Sequence, residues 1–206
     1  MSVRKVNEMK NTIGILLIVL ALVSSSSCIP ELVPPEALLD TPSRHVENGM
    51  KFLRSGKLEA PFLEFKRALE LDEEYAPAHV GVGLIHGLNG NFAEAMEWMS
   101  LADLYARDRL ESVMVHVGYM RLYLMGREKI SENWLKKIKE RYDRAVFLAP
   151  ESPDAYFYMG LAYKETGRFE EASQLFLTVV QMNRDYVQEA SEQYAIIRNL
   201  ELDSPS

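Results

Sequence analysis

HVENGMKFLRSGKLEAPFLEFKRALEL, residues 45–71, and HVGVGLIHGLNGNFAEAMEWMSLADLY, residues 79–105, start 34 residues apart and read as two copies of one unit. In each, a glycine stands four residues after the first, at Gly49 and Gly83. A second follows seven later, at Gly56 and Gly90, and an apolar side chain two after that, at Leu58 and Phe92. YFYMGLAYKETGRFEEASQLFLTVVQM, residues 156–182, repeats the spacing with Gly160, Gly167 and Phe169. Such self-similarity marks a helix–turn–helix unit that buries its apolar face only by stacking on its neighbours. The glycine between the two helices supplies a backbone angle that costs other residues energy.

The pattern resembles the tetratricopeptide repeat (TPR), over roughly residues 43–185. That family has a small residue at its eighth position, an aromatic at the eleventh, a small one at the twentieth, an aromatic at the twenty-fourth and a small one at the twenty-seventh. Gly49, Phe52, Phe65 and Ala68 match in the first copy, with Pro61 where alanine is usual. Gly83, Ala95 and Ala102 match in the second, with His86 and Met99 at the aromatic positions. Gly160, Tyr163, Ala172 and Phe176 match in the last, with Val179 for the small residue. In packing terms the small residue lets the paired helix approach, and the large ones fill the space between repeats.

Residues 111–152 read as a stretched copy, with Gly118 at the small position and Tyr142, Ala145 and Pro150 in family register. About eight residues are inserted around Arg127–Asn133. They predict a longer loop, or extra turns on the second helix with Ser131 as N-cap. Trp134, Ile138, Tyr142 and Ala145 share one face of that helix. The expected fold is therefore all-α: a TPR-type solenoid of about four hairpins, near 44–75, 76–109, 111–152 and 153–185. An amphipathic capping helix over 186–200 closes it, and a frayed tail, 201–206, follows.

The first 27 residues have a different character. A basic start, an apolar run from Ile13 to Val23, and small residues Ser24–Ser27 precede Cys28, the only cysteine. The apolar run fits a signal-peptide core and is short for a spanning helix, which needs about 20 residues. The order resembles a bacterial lipoprotein signal, although Ser25 stands where that family usually has an aliphatic residue. The resemblance implies cleavage before Cys28 and a diacylglycerol on its thiol. It also implies a lipid-anchored envelope protein, and Ile29 after the cysteine points to the outer membrane. An ordinary secretory signal cut within the serines and an uncleaved anchor are the alternatives. Residues 28–43, rich in proline, read as an extended tether.

The formal charge is −7, and residues 1–27 carry Arg4, Lys5 and Lys10 against Glu8, so the remaining body is near −9. An acidic body is repelled by phosphate backbones, which argues against nucleic acid as a partner. No metalloprotease, phosphate-loop or nucleophile-elbow motif occurs. His79 and His86 fall at packing positions of the repeat, and His45 shares the register of His79. His116 has no carboxylate nearby in sequence. The expectation is a protein with no enzymatic role, metal or cofactor.

In TPR arrays the concave face is lined from the first helix of each repeat, near its second, fifth, ninth, twelfth and thirteenth positions. Carried over by register, these are mostly apolar: Val46, Met50 and Leu53; Val80, Leu84 and Leu88; Val115, Tyr119, Leu122 and Tyr123; Phe157 and Leu161. Lys164 and Glu165 are the polar exceptions. The Lys/Asn/Arg clamp with which some TPR proteins hold a peptide carboxylate is absent. An apolar strip needs a cover: the tether or the C-terminal helix folded back, an amphipathic helix of a partner, or a small apolar ligand. The functional expectation is a scaffold or adaptor holding an envelope protein or peptide in this groove. The alternative is a transport accessory that carries an apolar solute, and a third reading is a regulatory subunit of an enzyme.

Overall fold

The structure, a computed structural model, describes residues 40–54 and 59–203. The signal segment, Cys28, the tether as far as residue 39, Gly56, Leu58 and residues 204–206 lie outside the described residues. Among the described residues there are nine α-helices and no strand. They are α1 (Pro42–Arg54), α2 (Glu59–Leu71), α3 (Ala76–Leu88), α4 (Phe92–Tyr105), α5 (Arg109–Gly126), α6 (Trp134–Leu148), α7 (Pro153–Glu165), α8 (Phe169–Met182) and α9 (Val187–Asp203), with a 3-10 turn at Arg127–Lys129. Consecutive helices pair as hairpins, α1 with α2, α3 with α4, α5 with α6 and α7 with α8, and α9 packs on α8. The first helices of successive hairpins touch in turn, α1 on α3, α3 on α5 and α5 on α7, which is the stacking of a solenoid.

The helix ends follow from local chemistry. Pro77 and Pro153 sit in the first turns of α3 and α7, where a missing N–H costs nothing. Asp108 caps α5 by accepting from the Glu111 N–H at 2.9 Å, while Glu111 accepts from the Arg107 N–H at 2.9 Å. The turns after α3 and α7 are the same structure. Gly90 and Gly167 take φ of 79° and 74°. Asn91 and Arg168 donate back to the carbonyls of His86 and Tyr163, each at 2.9 Å. This is the glycine-terminated helix end, and it explains why those two glycines recur.

Large buried side chains hold the stack together. Phe65 and Phe176 are fully buried. An added Cβ at Gly49 would lie 2.5 Å from the Phe65 ring, and one at Gly160 would lie 2.8 Å from that of Phe176. Gly83 stands over Met99 in the same way. Each small residue therefore seats the large residue of its own partner helix.

The third hairpin departs from expectation in two ways. The inserted residues do not lengthen its second helix, nor does Ser131 cap it. They form the 3-10 turn and the short loop before α6, while α5, with 18 residues against 13 for α1, α3 and α7, ends at Gly126, ahead of them. Helix α6 starts at Trp134 after Asn133. Trp134 holds the turn in place, its indole Nε1 donating to Glu128 Oε1 at 3.0 Å. Second, Gly118 does not face α6. Its nearest neighbours are Val80 and Met99 of the preceding hairpin. That is the environment of Gly81, which faces Phe65 of the hairpin before it. Since Met99 and Phe65 hold the same repeat position, Gly118 is the counterpart of Gly81 and not of Gly83. The register of α5 is two residues away from the one read in the sequence.

Candidate functional site

A cavity of about 510 Å³ opens on the side lined by the first helices of the hairpins. Helix α1 contributes Ser43, Val46, Glu47, Met50 and Arg54. Val80 comes from α3, with Tyr75 just before it. Helix α5 contributes Val113, Met114, Val117, Gly118 and Arg121. Asp154 of α7 and the α8–α9 loop, through Asp185 and Tyr186, complete it.

The two-residue shift in α5 decides which side chains stand there. In the corrected register Met114, Val117 and Arg121 occupy the second, fifth and ninth positions, as Ser43, Val46 and Met50 do in α1. The residues expected from sequence fall into three groups. Val46, Met50 and Val80 line the cavity. Leu53, Leu84, Val115, Tyr119, Leu122 and Tyr123 are buried in the core and do not line it. Leu122 packs on Gly87 of α3. Tyr119 turns towards α6, where the Arg141 guanidinium sits 3.7 Å from its ring centroid. Leu88 is exposed beyond the cavity, while Phe157 and Leu161 pack in a second core with Tyr186.

The cavity is accordingly less apolar than the strip read from sequence. Arg121 is half-buried and has weak company: it donates to Met50 Sδ at 3.9 Å and stands 5.2 Å over the Tyr158 ring. Burial pushes the Asp154 carboxyl up from its usual range, against a hydrogen bond from the Tyr186 hydroxyl. Burial also pushes the Tyr186 hydroxyl up, reinforced by Tyr158. Burial works against the charge on Arg54, yet the Tyr186 hydroxyl, Asp185 and Asp154 together outweigh it and hold the guanidinium charged. Sequence reasoning missed Arg121, Asp154 and Tyr186. A correct α5 register would have found the first. The second position of the last repeat marks Asp154. Tyr186 carries no signal beyond Asn183, which ends α8 in the left-handed conformation.

The histidines stand away from the cavity. His79 is buried, donates from Nε2 to the Glu73 carbonyl at 2.8 Å and packs on Trp98 and Tyr105. His86 stacks on the same Trp98. His116 accepts from Arg141 through Nδ1 at 3.1 Å, which requires the neutral ring. His45 lies in an ion cluster: Nε2 is 2.8 Å from Asp40 Oδ1 and Nδ1 is 2.6 Å from Glu64 Oε2. Arg67 closes on the same Asp40. Among the described residues no three possible metal ligands converge. Among them also, no helix is long and apolar enough to cross a membrane.

Residues 153–186 match the tetratricopeptide repeat family profile. A solved thermophilic TPR protein of Thermus thermophilus, TTC0263, aligns at a TM-score of 0.61 with 17% identity, over 79% of this chain and 83% of that one. Pseudomonas aeruginosa pilF aligns over 79% of this chain and 93% of its own, at 15% identity and a TM-score of 0.36. MamA (residues 41 to the end) of Desulfovibrio magneticus RS-1 aligns over 80% and 97%, at 15% and 0.38. No curated protein matches by sequence. The fold is a TPR-type helix–turn–helix solenoid with a C-terminal cap.

Proposed function

We propose that this chain is a non-enzymatic adaptor, lipid-anchored at Cys28 in the bacterial cell envelope, facing the periplasm from the outer membrane. It holds a partner protein by a short segment in the concave cavity. The observation that carries this reading is the cavity itself, about 510 Å³ and built from all four hairpins. An α-helix with its side chains is about 10–12 Å across, so one turn of it fills most of that space. The cavity therefore takes a short extended segment or a chain end, and not the long amphipathic helix a continuous apolar strip would receive. The anchor rests on the order of residues before Cys28.

The test is crosslinking of the tagged chain in envelopes of its own host, beside a Met114→Glu/Arg121→Glu version. One protein enriched by the wild type and lost from the folded variant supports the adaptor. Identical partner lists overturn the groove. Cys28→Ser separately tests the anchor: release of the chain from the membrane fraction is the expected result. A second reading has one observation in its favour. The cavity lies within the size range of small-molecule sites, about 300–1,000 Å³. An apolar solute recovered from the purified chain by native mass spectrometry, and lost in the same double variant, would select the transport accessory instead.

A further inference from the structure

Tyr186 lines the cavity at the fourth hairpin's end. The α8–α9 loop holds two non-glycine residues with left-handed backbones, Asn183 at φ 51° and Tyr186 at φ 64°. Asparagine takes that conformation readily at a helix end, but a tyrosine does so against its own backbone preference. Such a residue persists only where its surroundings hold it. Here the ring stacks on Phe157, with centroids 4.7 Å apart and planes at 22°, and meets Tyr158 edge-on at 5.8 Å. The hydroxyl lies 3.4 Å from that of Tyr158 and also engages Asp154 and Arg54. Arg54 ends α1, so this one side chain ties the first hairpin to the fourth across the cavity. Phe157 holds the repeat position at which Val46 and Val117 face the cavity. The fourth hairpin's share of the concave face is thus occupied by the chain itself.

We propose that Asp185 and Tyr186 fill, in cis, a subsite that a partner fills in trans with an acidic residue followed by an aromatic one, so that binding displaces the α8–α9 loop. The inference rests on the adaptor reading above. Complementarity selects the occupant. The face of Phe157 takes a ring, and Arg54, which lines the same cavity as Asp185, takes the adjoining carboxylate. Displacement frees Tyr186 from its strained backbone, so the loop is held at a cost that a competitor does not bear. The loop then lowers the apparent affinity for the partner by the fraction of molecules in which the subsite is open.

The experiment titrates a fluorescent, end-blocked peptide of sequence Asn-Arg-Asp-Tyr-Val into the full-length chain in detergent and reads anisotropy. Wild type is compared with Tyr186→Ala and Asp185→Lys. Asp185 is exposed, so the second variant keeps its fold if the first does not, and circular dichroism checks both. The expected result is affinity about tenfold higher in both folded variants, as when the free subsite is open in about a tenth of wild-type molecules. Adding Arg54→Glu abolishes the gain. Equal affinity in wild type and variants, no binding to any, or a gain indifferent to Arg54 overturns the proposal. Equal binding that is nevertheless lost in Met114→Glu/Arg121→Glu sinks the displaced loop and leaves the groove standing.

Discussion

Gly81 of α3 stands against the ring of Phe65 of α2, so close that a Cβ at Gly81 would lie 2.4 Å from ring carbons Cδ1 and Cε1. Phe65 is fully buried, and Gly49 stands against the same ring carbons, so the ring has little room to move. Alanine is the better helix former by about 1 kcal/mol, but overpacking a core costs about 1–3 kcal/mol. Overpacking wins here because the neighbour is a rigid ring. Gly81→Ala is expected to lower the urea midpoint with an unchanged m-value. Gly90→Ala destabilises by a different route. Nothing lies within 4 Å of that position, and the loss, about 1–2 kcal/mol, comes from its φ of 79°.

The same pair shows how far the sequence can be read. The 34-residue spacing of Gly49 and Gly83 sets the hairpins, and the recurring Gly90 and Gly167 mark real helix ends. Gly118 looks like another member of the series. A lone glycine does not say which neighbour it admits, its own partner helix or the preceding hairpin, and only packing against Met99 resolves that. The insertion removes the spacing that would expose the slip. Its consequence is local but functional, because two residues rotate a helix by more than half a turn. Tyr119 and Leu122 go to the core, and Arg121 comes to the cavity.

Two pairs of variants separate these registers. Leu84→Glu and Tyr119→Glu place a carboxylate where the side chain is 0% and 4% exposed. Each is expected to cost on the order of 4 kcal/mol and to leave little folded protein at 37 °C by circular dichroism. Met114→Glu and Arg121→Glu lie at the cavity wall and are expected to fold, with melting temperatures near wild type. Folded Tyr119→Glu beside unfolded Met114→Glu would restore the register read from sequence.

His45 on one side and His79 and His116 on the other have opposite pH dependence. Burial works against the charged form of His45, yet hydrogen bonds to Glu64 and Asp40 outweigh it and raise its pKa above 6.5. Its contribution is therefore complete below about pH 6.5 and is lost as pH rises through the raised value. Asp40 is held down to about 2 from 3.8, first by Arg67 and then by His45. Its contribution is complete above 3.8 and is lost as pH falls through about 2. His79 and His116 are lowered, both by burial, and His116 further by Arg141. They favour the fold above 6.5 and oppose it as pH falls through their lowered values. Thermal melts of wild type and His45→Gln are expected to differ more at about pH 5.5 than at about pH 9. His116→Gln should do the reverse, flattening the loss of stability on the acid side. A constant His45→Gln difference across that range would remove the ion cluster from the account.

Trp134 tests whether the inserted turn is built into the third hairpin or merely appended to it. The ring is 8% exposed in the main core, and its Nε1 is the only polar atom it must satisfy, through Glu128. Trp134→Phe keeps most of the packing and gives up that hydrogen bond. Because Glu128 is exposed, water takes the freed acceptor, and the expected cost is about 1 kcal/mol. Trp134→Ala removes the ring itself and is expected to cost about 3–5 kcal/mol. Phe147 on the same helix is the control. It is 84% exposed, and Phe147→Ala is expected to stay within about 0.5 kcal/mol of wild type. Amide exchange then locates the effect. In Trp134→Phe the faster exchange should be confined to residues 127–137, since Gly126, packed against Ile130 and Phe92, ties the start of the turn to the second hairpin independently of the indole. Exchange that rises throughout α5 and α6 would mean that the turn and the hairpin open as one unit.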